Sequence, residues 1–118
     1  MEQKSTQGIL VSKKTEELLN MIYPALGNFP NSEKFALSEH IRVGLIEVIG
    51  NVEMAVSVKS KRVEYAQTAD GHLQKVKVMI RLAKNRKYIS LGLYREVDSE
   101  LTEINKLLSS FIRATFRK

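Results

Sequence analysis

The sequence predicts an all-α protein that folds as an antiparallel four-helix bundle. Its 118 residues include only six Gly and two Pro, a composition that suits helices. One apolar series alternates spacings of three and four residues, which is typical of a buried bundle seam. The series is Tyr94, Val97, Leu101, Ile104, Leu108 and Phe111. A chain this short holds one hydrophobic core, so we predict a single domain over residues 1–118 with a tail at about residues 1–11.

The first predicted helix covers residues 12–26. Its apolar stripe at helical spacing consists of Leu18, Leu19, Ile22 and Leu26. Gly27 and Asn28 supply a C-terminal stop for this helix. Either Asn31 or Ser32 is then placed to cap the second helix.

The second predicted helix, residues 33–58, is apolar in nearly every direction around its axis. A helix that is apolar on most sides must be covered on most sides, whereas a lone four-helix bundle leaves each helix a solvated face. We therefore favour burial against another subunit, and the alternative is a central helix wrapped fully by its own chain. Gly44 and Gly50 each cost about 1 kcal/mol in a helix interior, which closely approaching backbones would explain.

The third helix is predicted over residues 61–85, after a turn at residues 57–60, and the fourth over residues 90–116. The inner face of the third helix consists of Val63, Ala66, Leu73, Val76, Ile80 and Ala83. Asp70 on this helix has two interpretations. It is either a surface charge that contacts Gln74 or Lys77, or a fixed polar contact between helices or subunits.

Positive charge is concentrated in the second half of the chain. Residues 59–118 carry 14 Lys and Arg against 6 Asp and Glu, while residues 1–58 carry 5 against 7. Such a one-signed field attracts polyanions. Because Tyr65 and Tyr88 suit core packing better than base stacking, we expect contacts with the phosphate backbone without base readout. The candidate residues for binding nucleic acid or a partner protein are Lys59, Lys61, Arg62, Lys75, Lys77, Arg81, Lys84, Arg86 and Lys87.

The sequence offers little that would support catalysis. The absence of Cys excludes disulfides, thiolate zinc sites and a Cys nucleophile, and no phosphate loop, GxGxxG or HExxH motif occurs. His40 and His72 are isolated and do not fit the Glu-x-x-His pattern of di-iron bundles, so we interpret them as surface or interface residues. We predict no enzyme activity, cofactor or metal. Without a long apolar run or signal-peptide core, we also expect a soluble cytoplasmic protein with no membrane partner.

Four segments together resemble Avd, the accessory variability determinant of diversity-generating retroelements, over about residues 12–116. Their order and spacing carry the resemblance. The segments are MIYP (21–24) with FP (29–30), AQTADGHL (66–73), VKVMIRLA (76–83), and ISLGLY (89–94) followed by LTEINKLL (101–108). The resemblance implies a barrel-shaped homopentamer of four-helix bundles that is basic and binds nucleic acid. It also implies association with a reverse transcriptase, which copies template RNA with adenine-directed errors for mutagenic retrohoming.

A related family is encoded in intervening sequences of bacterial 23S ribosomal RNA genes and shares this fold and pentameric state. Its members typically carry Ser-Ile-Pro-x-Asn-Ile-Ala-Glu-Gly, whereas residues 45–53 here are LIEVIGNVE, which favours Avd. The chain departs from Avd at Phe111, where Trp is common, and at Lys77, where Arg is more typical. Lys lacks the planar fork of Arg, so a bidentate contact is not expected at position 77.

Three hypotheses follow. The first is a noncatalytic subunit that holds RNA, and DNA or an RNA–DNA hybrid, beside a reverse transcriptase. The second is a structural oligomer of the intervening-sequence type, whose charge only maintains solubility. The third is a protein adsorbed to an anionic membrane surface, which ranks last because the helices lack an exposed face rich in Trp and Phe.

Overall fold

The computed structural model describes residues 3–116, over which the chain forms four α-helices and no strand. They are α1 (Gln3–Gly27), α2 (Leu37–Ser57), α3 (Arg62–Asn85) and α4 (Leu91–Thr115). Each helix packs against two others, in the cycle α1–α2–α3–α4, so the predicted four-helix bundle is confirmed. The molecule measures 47 × 24 × 19 Å. No helix in the described part of the chain is both long and apolar enough to cross a bilayer.

The predicted core is largely confirmed. On α4, the seam residues Val97, Leu101, Ile104, Leu108 and Phe111 are all buried, while Tyr94 is half-buried. The predicted inner face of α3 is buried as well, except for a half-buried Val63. Both helices begin and end within a residue or two of the prediction, because their apolar periodicity is strong.

The first helix begins at Gln3, nine residues earlier than predicted. The prediction of a tail is therefore wrong for residues 3–11, and residues 1–2 lie outside the described range. The reason is a close approach at Gly8. A Cβ added there would lie 2.5 Å from Cγ2 of Val56 and 3.2 Å from Cζ of Phe111. The polar first turns of α1 therefore pack against α2 and α4 through a small residue, and Val11 is fully buried one turn later.

The start of α2 is also different. A 3₁₀ turn at Asn31–Glu33 precedes it, and its N-cap position is Ala36, where the structure shows no side-chain cap hydrogen bond. The prediction of a cap from Asn31 or Ser32 is thus wrong. Instead, Ser38 Oγ donates to the carbonyl oxygen of Leu26 at 2.8 Å, which ties the end of α1 to the first turn of α2.

The apolar surplus of α2 is only partly covered by its own chain. Val43, Ile46 and Met54 remain between 38% and 42% exposed. Gly44 is explained by packing within the chain, since a Cβ there would lie 2.7 Å from Cγ2 of Val76 on α3. Gly50, by contrast, has open space where its Cβ would be. A fully wrapped α2 is therefore excluded for the chain on its own.

Candidate nucleic-acid interface

The nine basic residues named above do not form one patch. Lys59 and Lys61 lie in a 3₁₀ turn before α3, whereas Arg86 and Lys87 follow its last residue. The 24 residues of α3 make it about 36 Å long. The two pairs therefore lie near opposite ends of a molecule 47 Å in its longest dimension.

Arg62 is removed from the candidate surface because it is only 6% exposed. Its Nε donates to the carbonyl oxygen of Ala55 at 2.7 Å, and its Nη2 donates to that of Val56 at 2.9 Å. These carbonyls lie in the last turn of α2, where no further helical N–H is available to them. Arg62 thus holds the α2–α3 turn together, while its neighbour Lys61 is exposed.

Three cations lie along the side of α3 that faces α4. Lys84 Nζ is 4.5 Å from the ring centroid of Tyr94 on α4, within the range of a cation–π contact. Lys77 and Arg81 lie on the same side, seven and three residues before Lys84. We call Lys77, Arg81 and Lys84 the cationic row. Within residues 3–116 none of the three forms a salt bridge.

Asp70 belongs to a polar bridge between α3 and α4. Gln74 Nε2 donates to Asp70 Oδ1 at 3.0 Å and to Asn105 Oδ1 at 2.9 Å. The predicted contact with Gln74 is therefore confirmed, and Gln74 in turn connects the two helices. This bridge continues the α4-facing side of α3 on which the cationic row lies.

Lys75 lies on the opposite side of α3, in what we call the α2–α3 groove. The groove has a volume of about 440 Å³ and is lined by His40, Val43, Gly44, Glu47, His72, Lys75, Val78 and Met79. Val78 is 45% exposed, comparable to Val43 on α2. Both histidines thus border an apolar groove. Among the described side chains, no group of three or more His, Asp or Glu is arranged to hold a metal ion.

Ion pairs occur on other sides of the molecule. Lys14 Nζ lies 3.3 Å from Glu103 Oε1, and this carboxylate raises the pKa of Lys14. Arg42 forms a salt bridge with Glu39, which lowers the pKa of the Glu39 carboxyl. Since the cationic row has no such carboxylate partner among the described residues, its charge is available to an external anion.

The two tyrosines considered for base stacking are not well exposed. Tyr65 is half-buried. The Tyr88 hydroxyl donates to Glu33 Oε2 at 3.0 Å, which raises the pKa of Tyr88, and its ring lies 5.3 Å from that of Phe29. The sequence interpretation missed Phe35, whose side chain is 92% exposed. Its apolar character within a predicted helix gave no sign of this exposure.

Comparison with known proteins gives one family and one fold. A family model described as bAvd-like matches residues 9–115. A crystal structure of a protein of unknown function from the S23 ribosomal protein family of Bacteroides thetaiotaomicron superposes with a TM-score of 0.80. The two chains are 23% identical, and the match covers 91% of this chain and 98% of the other, so the likeness concerns the fold alone. A search of curated protein sequences finds no match.

Proposed function

Because the chain belongs to the bAvd-like family, we propose that it is a noncatalytic accessory subunit of a diversity-generating retroelement reverse transcriptase. In this role it binds template RNA and the DNA copied from it, and holds them beside the polymerase during mutagenic retrohoming. The observation that carries the proposal is the cationic row, which lacks carboxylate partners among the described residues.

The row suits phosphate binding but is short. Lys77, Arg81 and Lys84 span seven residues of α3, or about 10 Å. One chain therefore engages only a few phosphates through this row. Useful affinity for a polyanion requires several rows presented together, which links nucleic-acid binding to assembly.

The α2–α3 groove supports assembly. Val43 of α2 and Val78 of α3 line the groove and are 38% and 45% exposed, and Met54 and Leu82 on the same two helices are 42% and 39% exposed. An apolar groove exposed to solvent is typical of a surface that another protein chain covers. We propose that a second copy of the chain covers this surface in a closed homo-oligomer. The number of copies, five, comes from the resemblance to Avd.

A structural oligomer without nucleic acid is the second candidate. The half-burial of Lys77 and Lys84 and the contact of Lys84 with Tyr94 favour it, because both give the cations a packing role within the chain. The two candidates differ in what happens when charge is removed from the row while the core is left intact.

The test is the double variant Lys77→Ala/Arg81→Ala, measured by fluorescence anisotropy with a labelled RNA and by capture of the reverse transcriptase. We expect weaker association with one or both partners and an unchanged thermal unfolding curve, because neither residue is buried. The matched control is Lys13→Ala/Lys106→Ala, which removes two exposed charges from α1 and α4.

Equal losses in both double variants would show that only total charge matters and that the row is not the site. A wild-type protein that binds neither RNA nor the polymerase at low salt would favour the structural oligomer. Unfolding of the Lys77/Arg81 variant would assign the pair to the packing of α3 on α4.

A further inference from the structure

The connection between α1 and α2 presents an aromatic ring to solvent. Phe35 is 92% exposed, the highest value for a large apolar side chain in the part of the chain that the structure describes. Tyr23, in the last turns of α1, is 52% exposed. Tyr23 lines a pocket of about 300 Å³ together with Lys34, the neighbour of Phe35, and Arg42 of α2.

Phe35 contributes almost nothing to folding, since a ring this exposed buries little area. The connection is held by other groups. Ser38 Oγ donates to the carbonyl oxygen of Leu26 at 2.8 Å, and Glu33 accepts from the Tyr88 hydroxyl at 3.0 Å. Phe29 is buried. The ring of Phe35 is thus presented by an ordered segment that does not depend on it.

Charged residues of both signs lie in and next to the connection that carries this ring, among them Glu33, Lys34 and Glu39. Lys34 is exposed, and the guanidinium of Arg42 is oriented by its hydrogen bonds to Glu39. The bond between Tyr88 and Glu33 brings the α3–α4 turn to the same end of the bundle, and that turn carries Arg86 and Lys87. An exposed ring next to an exposed cation, Lys34, is the combination that surfaces binding single-stranded nucleic acid use.

We propose that Tyr23, Lys34, Phe35 and Arg42 form a subsite for single-stranded nucleic acid, in which an unpaired base stacks on Phe35. A phosphate next to that base contacts Lys34, and Arg42, which is paired with Glu39, borders the same pocket. The inference rests on the proposed nucleic-acid function and adds a strand preference to it. Aromatic side chains stack on any base, whereas the base faces of a duplex are already stacked on one another.

The experiment compares Phe35→Ala with wild type on a single-stranded RNA of about eight nucleotides, a length within the usual site size. The RNA carries one 2-aminopurine, whose fluorescence is quenched when it stacks. We expect Phe35→Ala to lower single-strand affinity about 5- to 150-fold and to abolish the quenching. Affinity for a duplex of the same sequence should change less than about twofold, because the phosphate contacts remain.

Two variants serve as controls. Phe35→Trp retains a stacking surface and should keep both affinity and quenching. Phe116→Ala removes another exposed ring, 61% exposed at the C-terminal end of α4, and should leave both unchanged. Raising the salt concentration should lower the affinity of both wild type and Phe35→Ala for the single strand, because the phosphate contacts are ionic. The ratio of the two affinities should stay the same, because stacking is not an ionic contact.

Each outcome decides the inference. If Phe35→Ala binds single strands as wild type does, the subsite is wrong while the proposed function survives. If the wild type binds no RNA, both fail. If Phe35→Ala changes the oligomeric state, or weakens capture of the polymerase without changing single-strand affinity, Phe35 is a protein contact and the inference is overturned.

Discussion

The middle and the two ends of α3 use basic residues in different ways. In the middle, Lys77 and Arg81 have no carboxylate partner among the described side chains. Arg81 is exposed and Lys77 is half-buried. At the first residue of α3, Arg62 is buried and donates to two carbonyls of α2. Just beyond its last residue, Lys87 adopts a φ of 64°. The same residue types therefore serve a surface in one place and helix boundaries in the other, and substitutions should separate binding from stability along one helix.

The largest expected effect concerns the middle of α3 and salt. If an oligomer presents its rows together and engages about 6–10 phosphates, affinity for RNA should fall roughly 10³- to 10⁵-fold between about 50 and 200 mM salt. One row of three cations on a single chain would lose only about 20- to 40-fold over the same range, depending on whether the RNA is single-stranded or a duplex. Titrations of labelled RNA at several salt concentrations give the slope directly.

Light scattering on the same samples is the control for assembly. A particle several times heavier than 13.4 kDa should accompany a steep slope. A monomer with a shallow slope would leave the row as a weak site and remove the proposed oligomer. A flat slope would contradict phosphate binding at the middle of α3 altogether.

The second prediction concerns the first residue of α3. Arg62→Ala should lower the free energy of unfolding by about 1.5–3 kcal/mol, because the variant removes charged hydrogen bonds to the carbonyls of Ala55 and Val56. Denaturant unfolding at a fixed protein concentration measures this loss, and fixed concentration matters because assembly adds to apparent stability.

Lys61→Ala is its matched control. The two residues are adjacent and both basic, but Lys61 is exposed, so its removal should change stability by less than about 0.5 kcal/mol. If both variants were equally stable, the hydrogen bonds of Arg62 would not hold the α2–α3 turn.

Much of the fold follows from the sequence because a 3–4 apolar periodicity fixes which face of a helix is buried. The start of α1 does not follow from the sequence, because Gly8 and Ser12 are small or polar and form no apolar stripe. Their burial depends on partners distant in sequence. A Cβ at Gly8 would meet Val56, and Ser12 Oγ donates to Glu53 Oε1 at 2.6 Å.

The roles of the basic residues also depend on structural context that the sequence does not show. Composition identified them, but their roles depend on helical phase, which is fixed only once the first residue of α3 is known. Lys61, for example, lies in the 3₁₀ turn and is exposed, whereas Arg62 is the first residue of α3 and is buried. The exposure of Phe35 likewise depended on α2 beginning at Leu37 rather than at residue 33.

The smallest expected effect concerns Lys87, at the other end of α3. The N–H of Tyr88 bonds the carbonyl of Ala83 at 2.9 Å, and the N–H of Lys87 bonds that of Lys84 at 2.9 Å, which together form a Schellman motif. Glycine is the usual residue at this left-handed position, because a Cβ there costs about 1–2 kcal/mol.

Lys87→Gly should therefore stabilise the protein, measured as a rise in the free energy of unfolding. Relief of the Cβ clash exceeds the extra freedom of glycine in the unfolded chain, about 0.5–1 kcal/mol, and leaves a net gain of about 0.5–1 kcal/mol. Lys87→Ala removes the same charge but keeps the Cβ, so it should not be stabilised. If the two variants were equally stable, charge repulsion from neighbours such as Arg86 would be the cause. Lys87 would then affect stability through its charge and not through its backbone conformation.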